Sequence, residues 1–179
     1  MNKLIEKVFE TRSSDMIALI LRVTLGAVMF AHGAQKLLGW FGGFGFNGTM
    51  DAMTNNFHLP WIVALLVILT ESIGGLCLAL GFVSRIIAAA IAVIMAGAVV
   101  LVHWDNGFFM NWYNISGGEG FEYHLLVIAI CAALIFQGGG MYSIDSWIYE
   151  RFRKRRAIEN VIPDGVTIRI REQRVMFKL

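Results

Sequence analysis

The chain has 179 residues, 57% of them hydrophobic, with a mean hydropathy of +0.64. That is too apolar for an ordinary soluble domain, and the length suits one compact unit. The formal net charge of +2 excludes little, because Lys and Arg crowd the ends and are absent between Arg85 and Arg151.

In chain order, the opening segment 1–15 is basic through Lys3, Lys7 and Arg12. Apolar stretches then run from about Met16 to Leu38, Trp61 to Phe82, Ile86 to His103 and Glu122 to Gly139. Each approaches the roughly 20 residues that cross a hydrocarbon core about 30 Å thick. Ile86–Val102 contains no charge, whereas the last stretch is short enough to suit a buried helix as well. A signal peptide competes for the first stretch, with Ala31-His32-Gly33 as a poor cleavage site. The run is longer than a signal core and Arg22 interrupts it, which favours a span. The predicted architecture is an all-α membrane protein. A four-helix transmembrane bundle over 16–149 follows the cytoplasmic segment 1–15, and a short basic cytoplasmic tail covers 150–179.

Orientation follows from the cations. The loops at about Gly39–Pro60 and Trp104–Phe121 carry no Lys or Arg, while both termini and the Arg85 turn do. Such asymmetry predicts cytoplasmic termini and outward loops. Direction then sets depth. His32, Gln35 and Lys36 fall in the outward third of the first span, and Glu71 falls mid-span in the second. His103 ends the third span, and Glu122 and His124 begin the fourth. These residues converge on the outer half of the membrane, where ionisable groups are costly and therefore functional candidates. Snorkelling to the interface explains His103 and Glu122, and can extend to Lys36, but not Glu71. One cavity bordered by His32, Lys36, Glu71, His103, Glu122 and His124, roofed by Trp40, Trp112 or Tyr113, is the expected arrangement.

On the first helix Arg22, Met29, His32, Gly33 and Lys36 fall close to one face. Gly26 and Gly33 on that helix, and Gly74-Gly75 on the second, offer close helix contacts. A buried Glu71 calls for a cation, which Lys36, Arg22 or His32 can supply. Such a pair can fix helix register as well as carry chemistry.

Cys77 and Cys131 are isolated, and lone cysteines in apolar stretches are usually small hydrophobes. A disulfide between them stays open, while CxxC-type redox chemistry is disfavoured. No His-x-x-x-His or repeated Glu-x-x-His occurs, so no metal site is predicted. A bis-histidine haem remains geometrically open, but neutral histidines bonding a quinone carbonyl or relaying protons suit the depth better.

Gly43, Gly45 and Gly48 match G-x-G-x-x-G, yet no strand precedes them, so a nucleotide fingerprint is excluded. The aromatics of both outer loops suit interfacial anchoring or the mouth of a site for a flat apolar ligand. A short surface helix is expected over Thr49–Phe57. Asn114-Ile115-Ser116 fits a glycosylation sequon but carries little weight. In the tail, Arg151–Arg156 suits anionic headgroups. Val166, Ile168 and Ile170 alternate with polar residues after Pro163-Asp164-Gly165, a strand or hairpin signal. Lipid or protein contact is expected there rather than nucleic acid.

The segment His32-Gly33-Ala34-Gln35-Lys36-Leu37-Leu38-Gly39-Trp40-Phe41-Gly42-Gly43 resembles the DoxX family of small four-helix bacterial membrane proteins. Arg22, Glu71 before Gly74-Gly75, the turn from Gly81 to Arg85, and Glu119-Gly120-Phe121-Glu122 with Leu125 fit that pattern. The likeness covers about Asp15 to Asp145 and excludes the basic tail. It implies a multi-pass protein of the bacterial inner membrane and a link to oxidoreductase systems. The family takes its name from terminal-oxidase and thiosulfate:quinone oxidoreductase systems, and its members are generally described as oxidoreductases or their partners. The resemblance supplies no established catalytic set, so catalytic residues stay unassigned.

The expected function is therefore quinone-linked redox work, or partnership with a membrane oxidoreductase. His32, Gln35, Lys36, Glu71, His103, Glu122 and His124 are the candidate quinone-binding residues, and Arg22 and Glu71 are candidates for a charge pair. No cofactor motif is evident beyond a bound quinone. The alternative is a non-enzymatic scaffold or assembly subunit for a partner protein. A solute or proton pathway ranks third, because no inverted repeat is evident.

Overall fold

A computed structural model of the chain describes residues 3–114 and 117–161. The strand expected around Val166–Ile170, and the Ile115-Ser116 half of the sequon, lie outside the described residues. Within them every regular element is helical: α1 (Lys3–Phe9), α2 (Met16–Leu38), α3 (Gly45–Asp51), α4 (Trp61–Leu80), α5 (Ser84–Asn106), α6 (Glu122–Gln137) and α7 (Ile144–Val161). By length and composition α2, α4 and α5 can each cross a membrane, whereas α6 is an apolar helix of 16 residues.

Local chemistry sets the limits of α2. The Asp15 carboxylate accepts a hydrogen bond from the Ala18 amide at 3.0 Å and so caps its first turn. At the other end Gly39 adopts φ 73° and its amide closes on the Ala34 carbonyl, a left-handed stop that glycine makes without strain. The long helices pack as a ring, α2 on α4, α4 on α5, α5 on α6, and α6 back on α2. Leu25, Met29, Leu78, Ile91, Met95, Val127 and Leu134 fill its axis. Cys131 is buried in that core, Cys77 is half-buried, and both are free thiols. The outer wall stays apolar, with Val93, Val100 and Leu126 largely exposed, as a lipid-facing surface requires.

Glycine sets the register of α2 against α4. A Cβ on Gly26 would stand 2.6 Å from the Ala79 amide nitrogen, and one on Gly75 the same distance from that of Phe30. Gly33 lies against the Glu71–Ser72 backbone. Gly74, by contrast, has no neighbour nearer than the Ile87 side chain at 3.5 Å, an ordinary contact. In this register the first turns of α4 rise past the end of α2. There they pack with α3 in a second small core of Met50, Ala64 and Ile68. The helix expected over Thr49–Phe57 thus starts earlier, at Gly45, and continues as a π-helical turn over Ala52–Asn56.

Two ends follow: a loop end, with segments 39–60 and 104–121, and a terminal end, where α1 and α7 meet the turn between α4 and α5. At the terminal end Arg22 is buried inside four carbonyls. Its Nε donates to Gly139 O at 2.7 Å, Nη2 to Met141 O and Tyr142 O at 3.0 Å each, and Nη1 to Ala79 O. Beside it Val83 sits at φ 46°, a strained conformation for a β-branched residue. The buried Asp145 carboxylate holds it there by accepting from the amides of Val83 at 2.7 Å and Ser84 at 2.9 Å. Asp145 is thus a remote cap for α5. Burial pushes its carboxyl above the ordinary range, and the Ser84 and Val83 bonds and the Arg22 charge pull it back. Helix α7 runs unbroken through the expected 149/150 boundary. It is tied to α1 by the Arg156–Glu6 ion pair and stacks Arg151 over Trp147 at 4.2 Å.

Candidate functional site

The loop end of the ring encloses a cavity of about 280 Å³. Its walls carry His32 and Lys36 from α2, Glu71 from α4, His103 from α5, and Tyr123 and His124 from α6. Met29, Met95 and Ala98 form its apolar depth, and Met110 and Glu119 reach it from the second loop. His32 is exposed although it lines the cavity, so the cavity is open to the surface at that side chain.

Glu71 is 3% exposed and forms an ion pair with Lys36. The contact has a local cause: Gly33, one turn before Lys36, lets the α4 backbone approach at the level of Glu71 and Ser72. Glu71 lies in a π-helical turn, Thr70–Gly74, and His103 ends another, Val99–His103. Such turns widen a helix by one residue, redirect the side chains after them and recur at functional sites.

The imidazoles and the phenol cluster in the same cavity. His103 and His124 have ring centroids 4.2 Å apart, Tyr123 lies 5.6 Å from His124, and His32 lies 6.3 Å from Tyr123. His103 Nδ1 sits 2.8 Å from Glu119 O, which fixes that ring. Among the described residues neither the Tyr123 hydroxyl nor Nδ1 of the buried His124 has a hydrogen-bond partner. Buried polar atoms without partners are rare and mark places where a ligand can bind. Among the described residues no three His, Cys, Asp or Glu side chains are grouped to hold a metal ion.

Five predicted residues, His32, Lys36, Glu71, His103 and His124, meet at this cavity; two do not. The Glu122 carboxylate instead accepts from the Met110 amide at 3.0 Å and from Trp112 Nε1 at 3.3 Å, bracing the second loop. Gln35 donates to Phe41 O at 3.4 Å and braces the first loop. Arg22 does not pair with Glu71, because the register places it at the terminal end among carbonyls. The expected roof of Trp40, Trp112 or Tyr113 is absent from the lining, and Met110 and Glu119 stand there instead. Trp112 and Tyr113 line a separate surface cleft formed by 106–113. Tyr123 was missed, although its position beside His124 on one turn was a signal for it.

Residues 17–104, which carry three of the four cavity walls, match the DoxX family model. That stretch is a DoxX domain. The DoxX match ends before α6, which supplies Tyr123 and His124. A longer likeness spans 139 residues at 28% identity to a Bacillus subtilis (strain 168) protein called "Putative oxidoreductase CatD", covering 78% of this chain and 92% of that protein. No solved structure matches the chain.

Proposed function

We propose that this chain is a four-span DoxX-family protein of the bacterial inner membrane whose loop-end cavity binds a quinone headgroup and which works with a partner oxidoreductase. In this reading α6 is the fourth span, residues 1–15 and 150–179 are cytoplasmic, and 16–149 form the membrane domain. The observation that carries it is the convergence of Lys36, His32, His103, His124 and Tyr123 on one cavity, open at His32, inside an apolar ring. A quinone has two carbonyls that accept hydrogen bonds from such donors, and its tail can leave past His32 into lipid. About 280 Å³ is at the small end of ligand pockets, enough for one substituted ring but not for a haem or a dinucleotide. Reduction of a quinone to a quinol takes two electrons and two protons. The Lys36–Glu71 pair and the histidines can exchange protons, and the electrons come from the partner. The relative's printed name supports the redox side of the reading.

The test is binding of a short-tailed quinone analogue to purified protein. Lys36→Met and His32→Leu should each abolish it while the bundle stays folded. Binding that survives both changes, or a wild type that binds no analogue, removes the reading. A scaffold role would then be favoured by the exposed Phe109, Trp112 and Tyr113 of the second loop, which offer an apolar face to a partner. Orientation is tested separately by thiol labelling of intact cells. Asn47→Cys and Tyr113→Cys should label from outside, whereas Ser14→Cys and Arg155→Cys should not; the reverse pattern sinks the topology.

A further inference from the structure

The terminal end carries a second and larger cavity, a cleft of about 610 Å³ between the end of α1, the start of α5, the end of α6 and the middle of α7. Arg12, Ser13, Ser14, Arg85, Tyr149 and Arg153 line it. Among the described residues the ion pairs are Lys36–Glu71 and Arg156–Glu6, so none of these three arginines has a carboxylate within ion-pair distance. Arg85 is held by carbonyls: its Nε and Nη2 donate to Glu10 O at 3.1 and 2.9 Å, and Nη1 donates to Ile135 O. Carbonyl dipoles orient a guanidinium but leave its charge uncompensated. Glu10 is the one acidic residue in the lining.

The lining has one further polar group. The buried amide oxygen of Gln137, also in the lining, has no partner among the described residues. The lining also contains Phe136, which is 81% exposed, and Ile86 beside Arg85 is exposed as well. Cations, hydroxyls and an amide thus stand on one side, with an apolar lipid-facing surface next to them. A free anion has no use for that apolar border.

We propose that this cleft binds the phosphodiester headgroup of an anionic membrane lipid, with Arg12 and Arg153 contacting the phosphate and Phe136 flanking the acyl chains. Basic pockets at the membrane surface between helices take such headgroups. Arg85 supplies fixed positive potential from behind, and Ser13 and Ser14 supply hydroxyl donors. The site is at the opposite end of the ring from the histidine cavity, so it stands or falls independently of any quinone.

The test uses the full chain in a nonionic detergent, titrated calorimetrically with short-chain phosphatidylglycerol and, separately, with inorganic phosphate. Each arginine near a membrane surface contributes enough that losing two should weaken binding roughly thirtyfold, and losing one roughly fivefold. Arg12→Gln/Arg153→Gln should show the first effect, and the single changes the second. Lys154→Gln/Arg155→Gln removes the same charge from α7 outside the cleft and should shift the affinity less than about threefold. Arg12 and Arg153 are both exposed, so the single variants keep the fold intact and keep the comparison readable. Equal losses in the two double variants would mean diffuse surface charge and would overturn the site. Binding of inorganic phosphate as tight as that of the lipid would overturn the lipid assignment, and wild-type affinity in the Arg12/Arg153 variants would overturn both.

Discussion

Replacing Lys36 by Met removes the cation from a carboxylate that is 3% exposed and lies inside the helix ring. Breaking a buried pair from one side leaves an uncompensated charge and costs about 3–5 kcal/mol. The reverse change, Glu71→Gln, is milder. The Lys36 side chain keeps 27% of its surface accessible near the end of α2, so its ammonium can reach water. That variant should cost about 1–2 kcal/mol. The double variant Lys36→Met/Glu71→Gln has no orphaned charge and should be about as stable as Glu71→Gln alone. The cycle therefore predicts a coupling of roughly 3–5 kcal/mol, far above the 0.5 kcal/mol or so within which independent sites add. Reversible unfolding in mixed micelles, with the four proteins compared at one pH and one detergent fraction, measures it. Additive losses would refute the idea that Glu71 is held by Lys36.

Two further outcomes follow from the packing and the terminal end. Gly33→Ala pushes a methyl group into the α4 backbone and should destabilise the ring by roughly 1–3 kcal/mol or more in the same assay. Gly97→Ala, with nothing within 4 Å of the added carbon, should be neutral or slightly stabilising, and equal losses at the two sites would contradict the register. Asp145→Asn gives up one of the two acceptors that hold Val83 and Ser84, a loss of about 1–2 kcal/mol at neutral pH. Because burial raises the Asp145 carboxyl above 3.8, the folded state takes up its proton before the unfolded state does. Wild-type stability from this group is then greatest at low pH and is lost as pH rises through the raised range. The margin of wild type over Asp145→Asn should widen on acidification from pH 7, and a narrowing margin in melting curves would reverse the assignment.

Hydropathy and charge are properties of short stretches, so the apolar helices, and the end of the bundle at which each polar residue lies, could be read directly from the chain. The expected Met16–Leu38 helix has those limits in the structure, and the others differ by only a few residues. Depth placed His32, Lys36, Glu71, His103 and His124 in one layer, and that layer is where the cavity lies. What depth cannot supply is azimuth. Glu122 and His124 share a depth, but two residues along a helix turn the side chain by roughly 200°, so only one of them can face the ring. His124 does, and Glu122 braces a loop. The partner of Glu71 was open among Lys36, Arg22 and His32, because composition says nothing of the register between two helices. Glycine contacts decide it, by sliding α4 until Glu71 stands beside Lys36 and leaving Arg22 to the carbonyls of the terminal end. The π turns at Glu71 and His103, and the capping of α5 by Asp145 from 61 residues away, likewise depend on contacts between distant segments that no local pattern records.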